Sequence, residues 1–156
     1  MSTKENAQFN KLILLQLLNF SHFFDEYFFG FPEWATKHFG TTGKNYYLLS
    51  HLPLVLIIGV IMWGMHKGSR VALFFALGVQ TIFFTNGIFH IITTILWYEY
   101  SPGLMTQVII LPSFFITLKL ILDSKVLSKK QVAHSLIIGT TVSILLILSL
   151  FLNMPV

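Results

Sequence analysis

The chain has 156 residues, 54% of them hydrophobic and 10% charged, with a mean hydropathy of +0.74. A soluble domain carries roughly 25% charged residues, so most of this chain takes a bilayer as its solvent, in one compact bundle with no room for a second domain. The absence of cysteine excludes disulfides, thiolate catalysis and Cys-based zinc sites, and a net charge of +4 is what lysines bordering membrane spans produce, so no nucleic-acid partner is implied.

The polar start, MSTKENAQFNK, leads into an apolar run longer than a signal-peptide core and without a small-residue cleavage site, so a retained helix is expected at about 12–31. Asn19 to Ser21 spells a glycosylation sequon, but it lies inside that run and is discarded. Pro32 would end or bend this helix. Four more segments suit a span of about 20 residues, at about 46–66, 70–97, 103–122 and 132–152. The expectation is an all-α, polytopic integral membrane protein, a five-transmembrane-helix bundle forming a single domain over 1–156.

Between spans, GTTGKN (Gly40 to Asn45) has glycines too closely spaced for a phosphate loop and reads as a plain connection. GMHKG (Gly64 to Gly68) has GxxxG spacing, but at a helix end, where it argues little for a dimer. SPG (Ser101 to Gly103) makes a tight turn, and DSKVLSKKQ separates the last two spans.

Basic residues set the orientation. Lys4, Lys11, Lys67, Arg70, Lys125, Lys129 and Lys130 fall on one side, with Lys119 snorkelling toward it, and Lys37 and Lys44 on the other. The positive-inside rule then predicts a cytoplasmic amino terminus and an outside carboxyl terminus, with a bacterial cytoplasmic membrane as the expected location. Trp34, Tyr46, Tyr47, Trp97, Tyr98 and Tyr100 fit an aromatic belt at the outer ends.

Ionisable groups within a span cost several kcal/mol at its centre, so they face protein or a wet cavity and are functional candidates. His22, Asp25 and Glu26 lie at i, i+3 and i+4 on one face of the first helix. His51 on the second helix and Asn86 with His90 on the third fall at overlapping depths, roughly 7–17 Å below the outer end at 1.5 Å per residue. A shared wet pocket in the outer leaflet explains that coincidence.

These residues also carry a resemblance. HFFDE (His22 to Glu26) resembles the defining motif of the HXXEE family of small integral membrane proteins, with Asp25 in place of the first glutamate. FPEW (Phe31 to Trp34), NGIFH (Asn86 to His90) and YSPGLMT (Tyr100 to Thr106) follow in the order of that family's further motifs. The resemblance implies a membrane fold with its site on these motifs, in a family of suspected enzymes, and names no substrate.

Imidazole with carboxylate is the common ligand set for zinc or non-haem iron where no thiol is available. The expected ligands to such a divalent metal are His22, Glu26, His51 and His90, with Asp25 or Glu26 as base (or Asp25 behind the ligands) and Asn86 orienting the site. The leading expectation is an intramembrane enzyme hydrolysing or modifying a lipid or another small membrane-associated molecule. The same residues suit metal-free acid–base chemistry or a proton relay, so a small proton- or metal-coupled transporter, and a non-catalytic accessory subunit, stay open. Transport from so small a chain would need a partner or a homo-oligomer, and the inner half carries no ionisable residue to continue the route.

Blander readings stand beside these. The first-helix cluster could be a buried knot that only joins helices, Asn86 with His90 ordinary interhelical glue, and His51 structural. Glu33 and Glu99 read as solvated rim, and Tyr100, Pro102 and Gly103 as turn and anchor. Thr106 and Gln107 either serve the pocket or cap their helix. His38, His66 and His134 fall outside the pocket. The last helix reads as scaffold, with Ser143 and Ser149 satisfied locally.

Overall fold

A computed structural model describes residues 3–40 and 43–152, without the side chains of residues 3–8 and of Tyr46. Thr41 and Thr42, within the Gly40–Asn45 connection, and residues 1–2 and 153–156 lie outside the described residues. Among the described residues six helices follow in order: α1 (Thr3–Phe28), α2 (Phe31–Phe39), α3 (Gly43–His66), α4 (Arg70–Trp97), α5 (Leu104–Ser124) and α6 (Lys129–Phe151). Of these, α3, α4, α5 and α6 are long and apolar enough to cross a membrane. The long α1 falls short of that composition because Gln16, Asn19, His22, Asp25 and Glu26 form a polar stripe along it, and this stripe is buried.

Helix α2 corrects the single first span expected over 12–31. The chain stops being helical after Phe28 and turns through Gly30 at φ 87°, a left-handed conformation that favours glycine. It then restarts with Pro32 in the first turn, where the missing N–H breaks no helical bond. Glu33 in the first turn and Lys37 and His38 in the last complement the helix dipole. Phe31, Trp34 and Phe39 are buried against Tyr47 and Phe89. Trp34, expected in an interfacial belt, is instead core: it packs edge-on against Trp97 and stacks with Phe31.

Helix α4 packs on α1, α3, α5 and α6. Its contact with α6 is close because small residues line it: a Cβ on Gly139 would meet the Gly78 carbonyl oxygen at 2.4 Å. Across the same seam Ser135 donates to the Phe74 carbonyl at 2.6 Å, and Ser143 donates to that of Ile82 at 3.4 Å. Ser143 is therefore interhelical glue rather than locally satisfied, whereas Ser149 does bond within its own helix, to Leu146. Helix α6 starts three residues ahead of the expected 132 because Ser128 and Gln131 form a capping box. The GMHKG segment closes a turn, with Ser69 capping α4 and a Cβ on Gly64 only 2.7 Å from that of Ala72.

Candidate functional site

Helix periodicity puts His22 and Glu26 one turn apart on α1, and Asn86 and His90 one turn apart on α4. Where the two helices meet near the α2 end, one ligand atom each of His22, Glu26 and His90 lies within 4.8 Å of the others, and all three residues are buried. Glu26 Oε1 is 3.3 Å from His22 Nε2 and 3.2 Å from His90 Nε2. The imidazoles meet edge to face, with ring centroids 5.2 Å apart.

The surrounding hydrogen bonds decide what these atoms present to each other. Asn86 Nδ2 lies 2.8 Å from His22 Nε2 and 3.2 Å from His90 Nε2, so each Nε2 meets both this amide donor and the Glu26 carboxylate, and its role follows the ring's tautomer. In the tautomer that leaves both Nε2 atoms free to ligate, the imidazole protons sit on Nδ1. His90 Nδ1–H donates to Ser101 Oγ at 2.8 Å, and His22 Nδ1–H to Thr106 Oγ1 at 3.0 Å. Thr106 can accept because its own proton goes to Asp25 Oδ2 at 2.9 Å. Gln107 reaches the same His22 Nδ1 at 3.1 Å, and an end-for-end rotation of its amide supplies a second acceptor there. In that tautomer three acceptor atoms face one another with a single amide donor between them. Such a group could hold a metal ion, with Ser101 and Thr106 hydroxyls behind the imidazoles where the partners of metal-ligating histidines stand.

The remaining expected site residues stand outside this trio. Asp25 turns away from it: its Oδ2 accepts from the backbone N–H of Thr106 at 2.8 Å as well as from the hydroxyl, which satisfies the otherwise bare start of α5. His51 lies 3.7 Å from the other glutamate oxygen, Oε2, and is partly exposed. Its Nδ1–H donates to the Tyr47 carbonyl at 2.8 Å, and its ring stacks on that of Tyr47 at 3.9 Å. Tyr47 itself donates its phenol to Glu26 Oε2 at 2.8 Å.

Sequence reasoning missed Ser101, Tyr47 and Gly103. Each had been read by local context, as turn or belt, and only the fold carries it to the site. Gly103, at φ 107°, lies so close that a Cβ there would meet both His90 and His22 within 2.8 Å. The Ser101–Gly103 turn is therefore the cover of the site. The trio is packed shut rather than lining a wet pocket; the open cavity, about 700 Å³, lies one layer further out, beyond Tyr27, Tyr100 and Pro102. At its rim Glu33 pairs with Lys44 at 3.3 Å, and Glu99 pairs with Lys37 and, at 3.1 Å, His38. These rim carboxylates are paired rather than merely solvated. Burial, with the nearby Asp25 carboxylate, pushes the Tyr100 phenol up, so it stays neutral in the turn.

The pattern that defines proteins of unknown function with an HXXEE motif matches residues 13–117. The chain belongs to the HXXEE family. In this member the motif's histidine and second acidic residue, His22 and Glu26, enter the buried trio, and the first acidic position, Asp25, holds α5 instead. No curated protein and no solved structure matches the chain.

Proposed function

We propose that this HXXEE protein is an intramembrane enzyme that holds a divalent metal, zinc or iron, on His22, Glu26 and His90 and hydrolyses or modifies a membrane lipid. The observation that carries the reading is the convergence of three buried potential ligand atoms from two helices, each imidazole backed by a hydroxyl. Such an ion supplies Lewis acidity and an acidified water at neutral pH. Around it, Asn86 would orient both imidazoles, Tyr47 would hold the second glutamate oxygen, and His51 is placed to accept or return a proton at that edge. Asp25 acts as a positioning residue through Thr106.

In this reading α1 is the fifth span. Its 26 residues reach about 39 Å, its polar stripe faces the bundle, and Leu14, Leu17, Phe24 and Phe28 are exposed on the other side, where lipid would lie. The bias of basic residues supports an orientation with the α2 end outside and the amino terminus in the cytoplasm.

Elemental analysis of detergent-purified protein tests the proposal. Stoichiometric zinc or iron is expected, and it should be lost in His22→Ala and His90→Ala; a folded, metal-free wild-type protein would remove the metal. A transporter reading has one observation in its favour, the buried amides Gln16, Asn19 and Gln80 that continue from the site toward the opposite end. Metal or proton flux in proteoliposomes that stops in Glu26→Gln would support it instead.

A further inference from the structure

The cavity beyond the cover turn is a built space that the metal trio does not use. Its walls are of three kinds. Trp34 and the Tyr100–Pro102 turn form the inner wall, and that turn carries Ser101 and Gly103 onto the imidazoles. Phe28 and Phe29 form a side wall and are 73% and 57% exposed, so the cavity is open along α1 toward the surface where lipid would lie. The rim holds Lys37 and Lys44 with Glu33 and Glu99, in two ion pairs that join α2 to the turn after α4 and to α3, and His38 Nε2 lies 3.1 Å from the same Glu99 oxygen.

Those pairs are solvent-exposed, and exposed pairs contribute little because water and salt screen them, so a ligand can exchange into them at little loss. Opening either pair leaves one ammonium and one carboxylate. An anionic headgroup would satisfy the lysines and leave Glu33 and Glu99 beside its phosphate. A headgroup that carries both a phosphate and an ammonium re-partners all four. From this charge balance and the apolar side opening we infer that the cavity binds a zwitterionic aminophospholipid, its phosphate toward Lys37 and Lys44, its ammonium toward Glu33 and Glu99, and its chains along Phe28 and Phe29. The binding site stands on the cavity itself; that this lipid is also the substrate rests on the enzyme reading above.

Native mass spectrometry of the full chain in detergent, with dimyristoyl phosphatidylethanolamine, dimyristoyl phosphatidylglycerol or free phosphoethanolamine added, tests it. Retention of phosphatidylethanolamine several-fold above phosphatidylglycerol is expected, with that preference lost or inverted in Glu33→Gln/Glu99→Gln, where the rim becomes purely cationic. The preferred lipid should also raise the thermal midpoint of the wild-type protein more than the anionic one, a readout that needs no variant. Equal or greater retention of phosphatidylglycerol by the wild type, or a preference untouched by the double substitution, would overturn the inference. Free phosphoethanolamine bound as tightly as the lipid would overturn its lipid source. Metal content measured on the same samples separates the two proposals: lipid selection by a metal-free chain upholds the cavity and removes the metal, and metal without lipid selection does the reverse.

Discussion

Helix α1 carries two buried polar layers, one near the α2 end and one about two turns deeper, and they solve the problem of polarity inside lipid in opposite ways. In the deeper layer Asn19 Nδ2 donates to Gln16 Oε1 at 3.1 Å and Gln80 Oε1 at 3.0 Å, while Gln80 donates to Ser113 at 2.8 Å and Gln16 to the Ala76 carbonyl at 3.1 Å. Donors alternate with acceptors, every group is neutral, and three helices are tied together. In the layer near α2, two imidazoles and a carboxylate, all titratable, converge within 4.8 Å with Asn86 against both rings. Residues of equal burial thus form a joint in one place and, in the other, a group that could hold a metal ion. What separates them is the presence of titratable groups, not polarity.

The largest expected effect breaks this comparison most directly. His22→Ala, Glu26→Gln or His90→Ala should each abolish stoichiometric metal, a loss beyond the 10–100-fold that supporting residues typically produce, whereas Gln80→Leu should leave metal content unchanged. Equal loss from both layers, measured by elemental analysis on folded protein, would mean that the metal reports only on folding. Next in size is the hydroxyl behind His22. Thr106→Val removes the acceptor for Nδ1–H and should lower metal affinity about 10–100-fold, and Thr106→Ser should restore it. A structural role for the Thr106 methyl predicts the reverse pattern, with Val tolerated and Ser impaired.

The sequence carried the two layers unequally. Ionisable residues stand out in an apolar run, so His22, Glu26 and His90 were visible as candidates, and helical spacing was enough to put His22 with Glu26 and Asn86 with His90. Helix α4, a long uninterrupted apolar segment, was legible to its ends at 70 and 97. Helix α2 was not, because nine residues are too few for a span and the proline that starts the helix reads as a stop. The helix also extends from Thr3 rather than about 12, since a polar amphiphilic start is invisible to a search for apolar runs. Asp25 was read as a base or as standing behind the ligands, and spacing alone did not show which partner it takes. Spacing places it on the same helix face as its neighbours, but its side chain goes to Thr106 at the start of α5, 81 residues on, and nothing in local spacing reports that bond.

The deeper layer makes a smaller prediction. Asn19→Leu leaves the Gln16 and Gln80 oxygens without their shared donor, and polar contacts of this kind within membranes are worth about 1–2 kcal/mol. Thermal unfolding in detergent should move down by that amount with metal stoichiometry intact. Loss of metal from this variant would show that the two layers are one unit.

The smallest effect tests whether the rim behaves as a surface rather than as a third buried layer. Lys37, and with it His38, holds the Glu99 carboxyl below its ordinary value of 4.5. A carboxyl lowered in the folded state contributes stability above its unfolded value, and that contribution is lost as pH falls through the lowered one. The tether between α2 and the turn after α4 should therefore weaken only under acid conditions, below about pH 4.5, and be constant at neutral pH. Other carboxylates titrate in the same range, so the informative quantity is the difference between the wild-type protein and Glu99→Gln. That difference in thermal midpoint should be small at neutral pH, shrink toward zero on acidification, and fall with added salt, because exposed charges are screened. A difference that persists in acid or ignores salt would assign Glu99 to packing of the α2 end, and the rim would then belong with the joints rather than with an exchangeable surface.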